Sequence, residues 1–220
     1  MNKIFILMFS LCAFFSRLPL SAFEVEDCEL GDGSCCNCEV WQPFQLSLWN
    51  PLQIYDESVS IGGVRLNLIY GANLNVKGID LGLANRVYWD LAGLQVGIGN
   101  IVNGNLCGAQ LGFFNYVQGD VKGVQSSFVN LASNVYGWQD GWVNSANQNV
   151  IGLQTGFFFN YAESLQGVQF SLVNCASYVE GLQLGLINYT KCLKGVQIGL
   201  INIQTDRTYL KCLPLLNISW

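Results

Sequence analysis

The chain has 220 residues, 51% of them hydrophobic and only 11% charged, with a formal net charge of −5 and no histidine. That length suits one domain with a sizeable core, and the charged fraction lies well below the usual quarter. Without histidine there is no Ser–His base and no His-ligated metal, and acids balance bases between Arg65 and Arg207, so no basic patch invites nucleic acid.

Residues 1–22, MNKIFILMFSLCAFFSRLPLSA, read as a secretory signal: Lys3, an apolar run from Ile4 to Phe15, then small residues at Ser21 and Ala22, after which cleavage is expected. No later apolar run is long enough for a membrane-spanning helix. Residues 23–40 form an acidic segment holding Glu24, Glu26, Asp27, Glu29, Asp32 and Glu39. Its Cys28, Cys35, Cys36 and Cys38 lack the regular paired spacing of a zinc knuckle, and in an exported chain disulfides are the expected chemistry. The same expectation covers Cys107, Cys175, Cys192 and Cys212, which lie at or beside predicted turns, either within the chain or as cross-links to envelope proteins or other copies.

Residues 41–220 are expected to form one repeat-built domain, with the repeat array itself over 63–203. Glycine recurs from Gly63 through Gly78, Gly93, Gly108 and Gly123 to Gly195, always 14 or 15 residues apart. Two residues after it stands Gln95, Gln110, Gln125, Gln139, Gln154, Gln169, Gln183 or Gln197; the two earliest repeats carry Arg65 and Asp80 instead. Four residues after it comes Gly or Ser in nine of ten repeats, and seven after it comes Asn in eight of ten.

In KGVQIGLINI (194–203), Val196, Ile198 and Leu200 alternate with Gly195, Gln197, Gly199 and Ile201. Period two predicts a β-strand, and glycine at this density would cost about 1 kcal/mol per site in a helix. Each repeat then gives a strand of about ten residues and a turn of about four, a meander of hairpins. With PFQLSLWN (43–50) before the array and LKCLPLLNISW (210–220) after it, the expectation is a closed antiparallel β-barrel of about 12 short strands. The aliphatic face would meet lipid, and the glutamine face would line a lumen. Arg65, Asp80 and Arg86 would point into that lumen, as a solute-selecting constriction or as a compensating cluster. In GWQDGW (137–142), Trp138, Asp140 and Trp142 would fall on the lipid face, where Asp140 needs a subunit contact or an altered register.

Two features pull against the barrel. Three apolar rungs between Lys194 and Asn202 span only about 14 Å, against a lipid band of about 25 Å. The spacing is also uniform on both sides, where barrels alternate long loops with short turns. The alternative is a parallel β-solenoid, one coil per repeat, with columns of Gln and Asn forming amide ladders.

The chain's end, with Leu216, Ile218 and Trp220 alternating, resembles the C-terminal signal of bacterial outer-membrane barrels. The array over 63–203 resembles the surface-repeat proteins of bacteria with two membranes, and QVGIGN (95–100) resembles the curli-type fibre repeat locally. These resemblances imply the outer membrane or cell surface, with outer-membrane lipid as partner, more than they imply a mechanism. No catalytic constellation, cofactor motif or metal site is written in the chain. The expected roles are a narrow pore or a structural envelope component or, on the solenoid alternative, a secreted or surface structural protein without channel activity.

Overall fold

The computed structural model describes residues 40–220; the expected signal peptide and Cys28, Cys35, Cys36 and Cys38 lie outside the described residues. Its strands are β1 (Trp41–Trp49), β2 (Leu52–Gln53), β3 (Ser60–Asn73), β4 (Val76–Val87), β5 (Leu91–Val102), β6 (Leu106–Val117), β7 (Asp120–Ala132), β8 (Asn134–Phe170), β9 (Val173–Leu184), β10 (Ile187–Gln204) and β11 (Cys212–Ser219). Neighbouring repeats pair in parallel and in register: Gly78 on Gly93, Gln95 on Gln110, Asn100 on Asn115. The sheet order runs from β11 through β3 to β1 and β2 without closing. The molecule is thus a parallel β-solenoid of about 11 turns, and the closed antiparallel barrel is overturned.

The reason lies in parity. The glutamine and the asparagine of one repeat are five residues apart, an odd number, so a straight strand would aim them to opposite faces. Both are buried: Gln95 and Asn100, like Gln110 and Asn115, are fully inside. The chain must therefore bend between them, and also at the repeat glycine. From Gly78 to Gly195 that glycine has φ between 133° and 141°, a conformation closed to ordinary L side chains. A Cβ on it would also come within 2.0–2.2 Å of the carbonyl oxygen of the glycine one coil earlier. The glycine is a corner, stacked on the same corner of its neighbour.

The second small position follows from the asparagine. A Cβ at Gly97 would lie 2.5 Å from Asn85 Nδ2 and 2.7 Å from Asn100 Oδ1, so the folded-back amides occupy the space a side chain would need. Where serine replaces this glycine it joins the network: Ser127 Oγ donates to Asn130 Oδ1 at 2.8 Å and Ser171 Oγ to Asn174 Oδ1 at 2.9 Å.

Aliphatic columns fill the rest of the interior. Ile61, Val76, Leu91, Leu106 and Val121 begin one column, and Val87, Val102, Val117, Ala132 and Ala146 belong to the other. Burying each Val or Leu contributes about 1.5–3 kcal/mol. At the third corner Asn and Asp cap the turns coil by coil: Asp90 N donates to Asn75 Oδ1, Asn105 N to Asp90 Oδ1 and Asp120 N to Asn105 Oδ1.

Of the described cysteines expected in disulfides, Cys175 is disulfide-bonded and the other three are not. Cys107, Cys192 and Cys212 are free, so no disulfide joins two described cysteines. They occupy different places in their coils, whereas a bridge between neighbours needs the same column. Burial and the adjacent Asp206 push the Cys192 thiol up from its ordinary range. Cys175 is buried in a separate cluster with Phe159, Tyr161, Tyr189 and Ile203.

Candidate functional site

Two ladders of buried amides run the length of the solenoid. Each repeat glutamine from Gln110 to Gln197, two residues after the corner glycine, donates its Nε2 to the Oε1 of its counterpart one coil earlier, at 2.7–2.9 Å. The ladder asparagines Asn67, Asn85, Asn100, Asn115, Asn130, Asn144, Asn160, Asn174 and Asn188 each donate Nδ2 to the Oδ1 of the ladder asparagine one coil later, at 2.8–3.2 Å. The ladders point in opposite directions, so their dipoles oppose one another. Buried amides that each find a partner avoid a penalty of about 1–3 kcal/mol apiece.

The glutamine ladder has a donor end and an acceptor end. At the donor end Gln95 Nε2 meets Asp80 Oδ2 at 2.6 Å. The Asp80 carboxylate also accepts from Arg65 Nε at 2.7 Å, Arg65 Nη2 at 2.6 Å and Asn67 Nδ2 at 3.0 Å. Arg65 and Asp80 are both fully buried, and Arg65 Nη1 donates onward to the Arg86 carbonyl at 2.9 Å and to Asn73 Oδ1 at 3.2 Å. An anion ends a row of donors, and a cation neutralises the anion. At the acceptor end Asn217 Nδ2 donates to Gln197 Oε1 at 2.8 Å. Arg65, Asp80 and the glutamines therefore fill the solenoid's centre, and with the barrel goes the lumen they were expected to line. Arg86, whose carbonyl accepts from Arg65, has a half-buried side chain with its guanidinium 4.8 Å from the centre of the Tyr88 ring.

The outside of the coil is divided. The polar corner carries Asp90 and Asp120. The face formed by the first, third and fifth residues after each glycine is apolar: Ile79, Leu81 and Leu83 in one coil, Leu182, Leu184 and Leu186 in another. The fifth-residue column is the most exposed, Ile98 at 59%, Phe157 at 58% and Leu200 at 60%. A patch on this scale marks an interaction surface. Within it Phe113 stacks on Phe128 at 4.2 Å between ring centres, and Phe128 packs against Trp142 at 4.6 Å.

Asp140 is the one acidic or basic residue on this face among the described residues. Its Oδ1 accepts a short hydrogen bond from Thr155 Oγ1, which itself accepts from Trp138 Nε1 at 2.8 Å. Sequence reasoning placed these residues on an apolar face but gave them lipid as a neighbour; the columns themselves were legible as aliphatics at fixed offsets from the glycine. Among the described residues no group of three His, Cys, Asp or Glu side chains could hold a metal ion. Neither a family model, a curated protein nor a solved structure matches this chain.

Proposed function

We propose that this chain is an exported structural protein of the cell surface: a rigid, finite β-solenoid that acts as a scaffold and is neither a channel nor an enzyme. The observation that carries this reading is the filled interior, where every repeat glutamine, two residues after the corner glycine, is fully buried from Gln95 to Gln197 and bonded to its neighbours. A solute would find no path along such an axis. The signal-like first 22 residues and the resemblance to bacterial surface-repeat proteins support export to the envelope.

The ends favour a finite scaffold over a fibre. At one end the Gln45 side chain is used up on the Tyr55 backbone, donating to its carbonyl at 2.8 Å and accepting from its N–H at 3.0 Å. At the other, β11 lies antiparallel on β10 and interrupts the parallel stacking. Caps of this kind stop repeat arrays from adding further units.

The test is to express the full chain in a bacterium with two membranes and weigh the mature product. The expected result is a protein lacking residues 1–22, accessible to protease on intact cells, that gives no conductance in planar bilayers. A chain retained in the cytosol and still starting at Met1, or thioflavin-binding fibres, would overturn the reading.

A further inference from the structure

We propose that the apolar face is the interface with a second copy of this chain, packed face to face and antiparallel about a two-fold axis lying in the interface. This inference rests on the face alone and holds wherever the protein resides, so its failure leaves the exported scaffold standing.

The caps give the first argument. β1 and β11 depart from the repeat inside the solenoid, yet both continue the outer columns. Leu46 stands in register with Leu66, and Leu216 with Ile198. Phe44, Leu46, Leu216 and Ile218 are 41–49% exposed. Residues whose task is only to end a ladder could be polar on the outside. Here the apolar face is carried to both ends of the molecule.

Size gives the second argument. The third-residue column runs through Leu46, Leu66, Leu81, Val96, Leu111 and Ser126, then through as many rungs again from Asp140 to Leu216. At about 4.8 Å per rung the face is about 53 Å long, and at about 3.3 Å per residue it is about 15 Å wide. That is roughly 800 Å² per copy, the area each partner contributes to a standard stable interface.

Symmetry decides the occupant. The midpoint of that column falls between Ser126 and Asp140. The aromatic run in the neighbouring column, Phe113, Phe128, Trp142 and Phe157, has its midpoint between Phe128 and Trp142, on the same two rungs. An antiparallel two-fold through this point sets Phe128 against Trp142 of the other copy and Phe113 against Phe157. It also sets the Ser126 hydroxyl, which has no hydrogen-bond partner among the described residues, against the Asp140 carboxylate, whose Oδ2 is likewise unused. Aromatic anchors at the geometric centre with a paired polar station are the anatomy of a strong isologous interface. A parallel two-fold would instead set Asp140 against Asp140. Lipid would meet Asp140 and Ser126 at the middle of the face with nothing to answer them.

The test uses the full mature chain. Light scattering after gel filtration is expected to give a dimer, and Phe128→Glu combined with Trp142→Glu a monomer with unchanged β-sheet circular dichroism, because both residues are exposed on one copy. Orientation is read with a short thiol-reactive bifunctional cross-linker after Cys107, Cys192 and Cys212 are changed to Ser. Leu81→Cys and Leu184→Cys chains, which the two-fold sets opposite each other and about seven rungs of 4.8 Å from their own mates, are expected when mixed to cross-link several-fold above the background chain, and either alone not to. Cross-linking of either variant to itself would overturn the antiparallel arrangement. A monomeric parent chain would overturn the proposal, and flotation of that monomer with phosphatidylcholine vesicles would identify lipid as the occupant.

Discussion

The two ends of the glutamine ladder are closed by opposite chemistry. At the N-terminal end the ladder's terminal function is a donor, Gln95 Nε2, and the chain supplies an anion, Asp80, with Arg65 to balance it. At the C-terminal end the ladder's terminal function is an acceptor, Gln197 Oε1, and the chain supplies a neutral donor, Asn217 Nδ2. The difference teaches that a row of identical amides is not symmetric. Once one glutamine chooses a direction its neighbours follow, and each terminus demands a partner of one kind only.

The sharpest way to break the comparison is at the charged end. Asp80→Asn keeps the size but leaves the Arg65 guanidinium buried without a counter-charge, and is expected to cost about 3–5 kcal/mol in urea unfolding followed by circular dichroism. Restoring the repeat's own residue at both places, Arg65→Gln with Asp80→Gln, removes both charges and extends the ladder. The double variant is expected to recover more than half of that loss. A double variant as unstable as Asp80→Asn would show that the pair does something other than close the ladder.

The middle of the ladder comes next. Gln110→Leu leaves Gln125 Nε2 without its acceptor and Gln95 Oε1 without its donor, in a fully buried column. Two orphaned groups at about 1–3 kcal/mol each, partly offset by the apolar replacement, predict a loss of about 2–3 kcal/mol in the same measurement. A neutral result would mean that the ladder follows from the fold without supporting it.

The repeat was plain in the sequence, and so was the equivalence of Arg65, Asp80 and the glutamines, because identical offsets from a glycine survive any fold. What could not be read directly was the bend. Alternation over KGVQIGLINI is a strand signal, and a straight strand sends Gln197 and Asn202 to opposite faces. Only the odd spacing between two amides that both prefer a partner hinted at a corner. A closed barrel would need the glycines only as room inside a narrow lumen. Gly195 is instead a corner with φ of 141°, and Gly97 makes space for the neighbouring asparagine amides. The two objections to the barrel, a thin apolar band and even spacing, were the physical signature of a coil of fixed perimeter. The centred placing of Phe128 and Trp142 could not emerge until the register of every rung was known.

The smallest expected effect sharpens the comparison most, because it asks whether the anion that closes one end is wrong at the other. Asn217 is buried beside two acceptors, Gln197 Oε1 and Gln204 Oε1, and donates to both through Nδ2, while its own Oδ1 has no partner among the described residues. Asn217→Asp replaces the donor with a carboxylate facing those oxygens. The charged form is disfavoured in the fold, so the introduced carboxyl should titrate above its unfolded value of about 3.9. A raised acid carries its penalty at high pH: stability should match the parent below pH of about 4, fall as pH rises through the folded value, and level off about 1–2 kcal/mol lower. Asn217→Leu, which loses the same hydrogen bonds without adding a charge, should show no such pH dependence. Parallel pH profiles for the two variants would mean that this end tolerates either polarity, and the ladder would then have no acceptor end to protect.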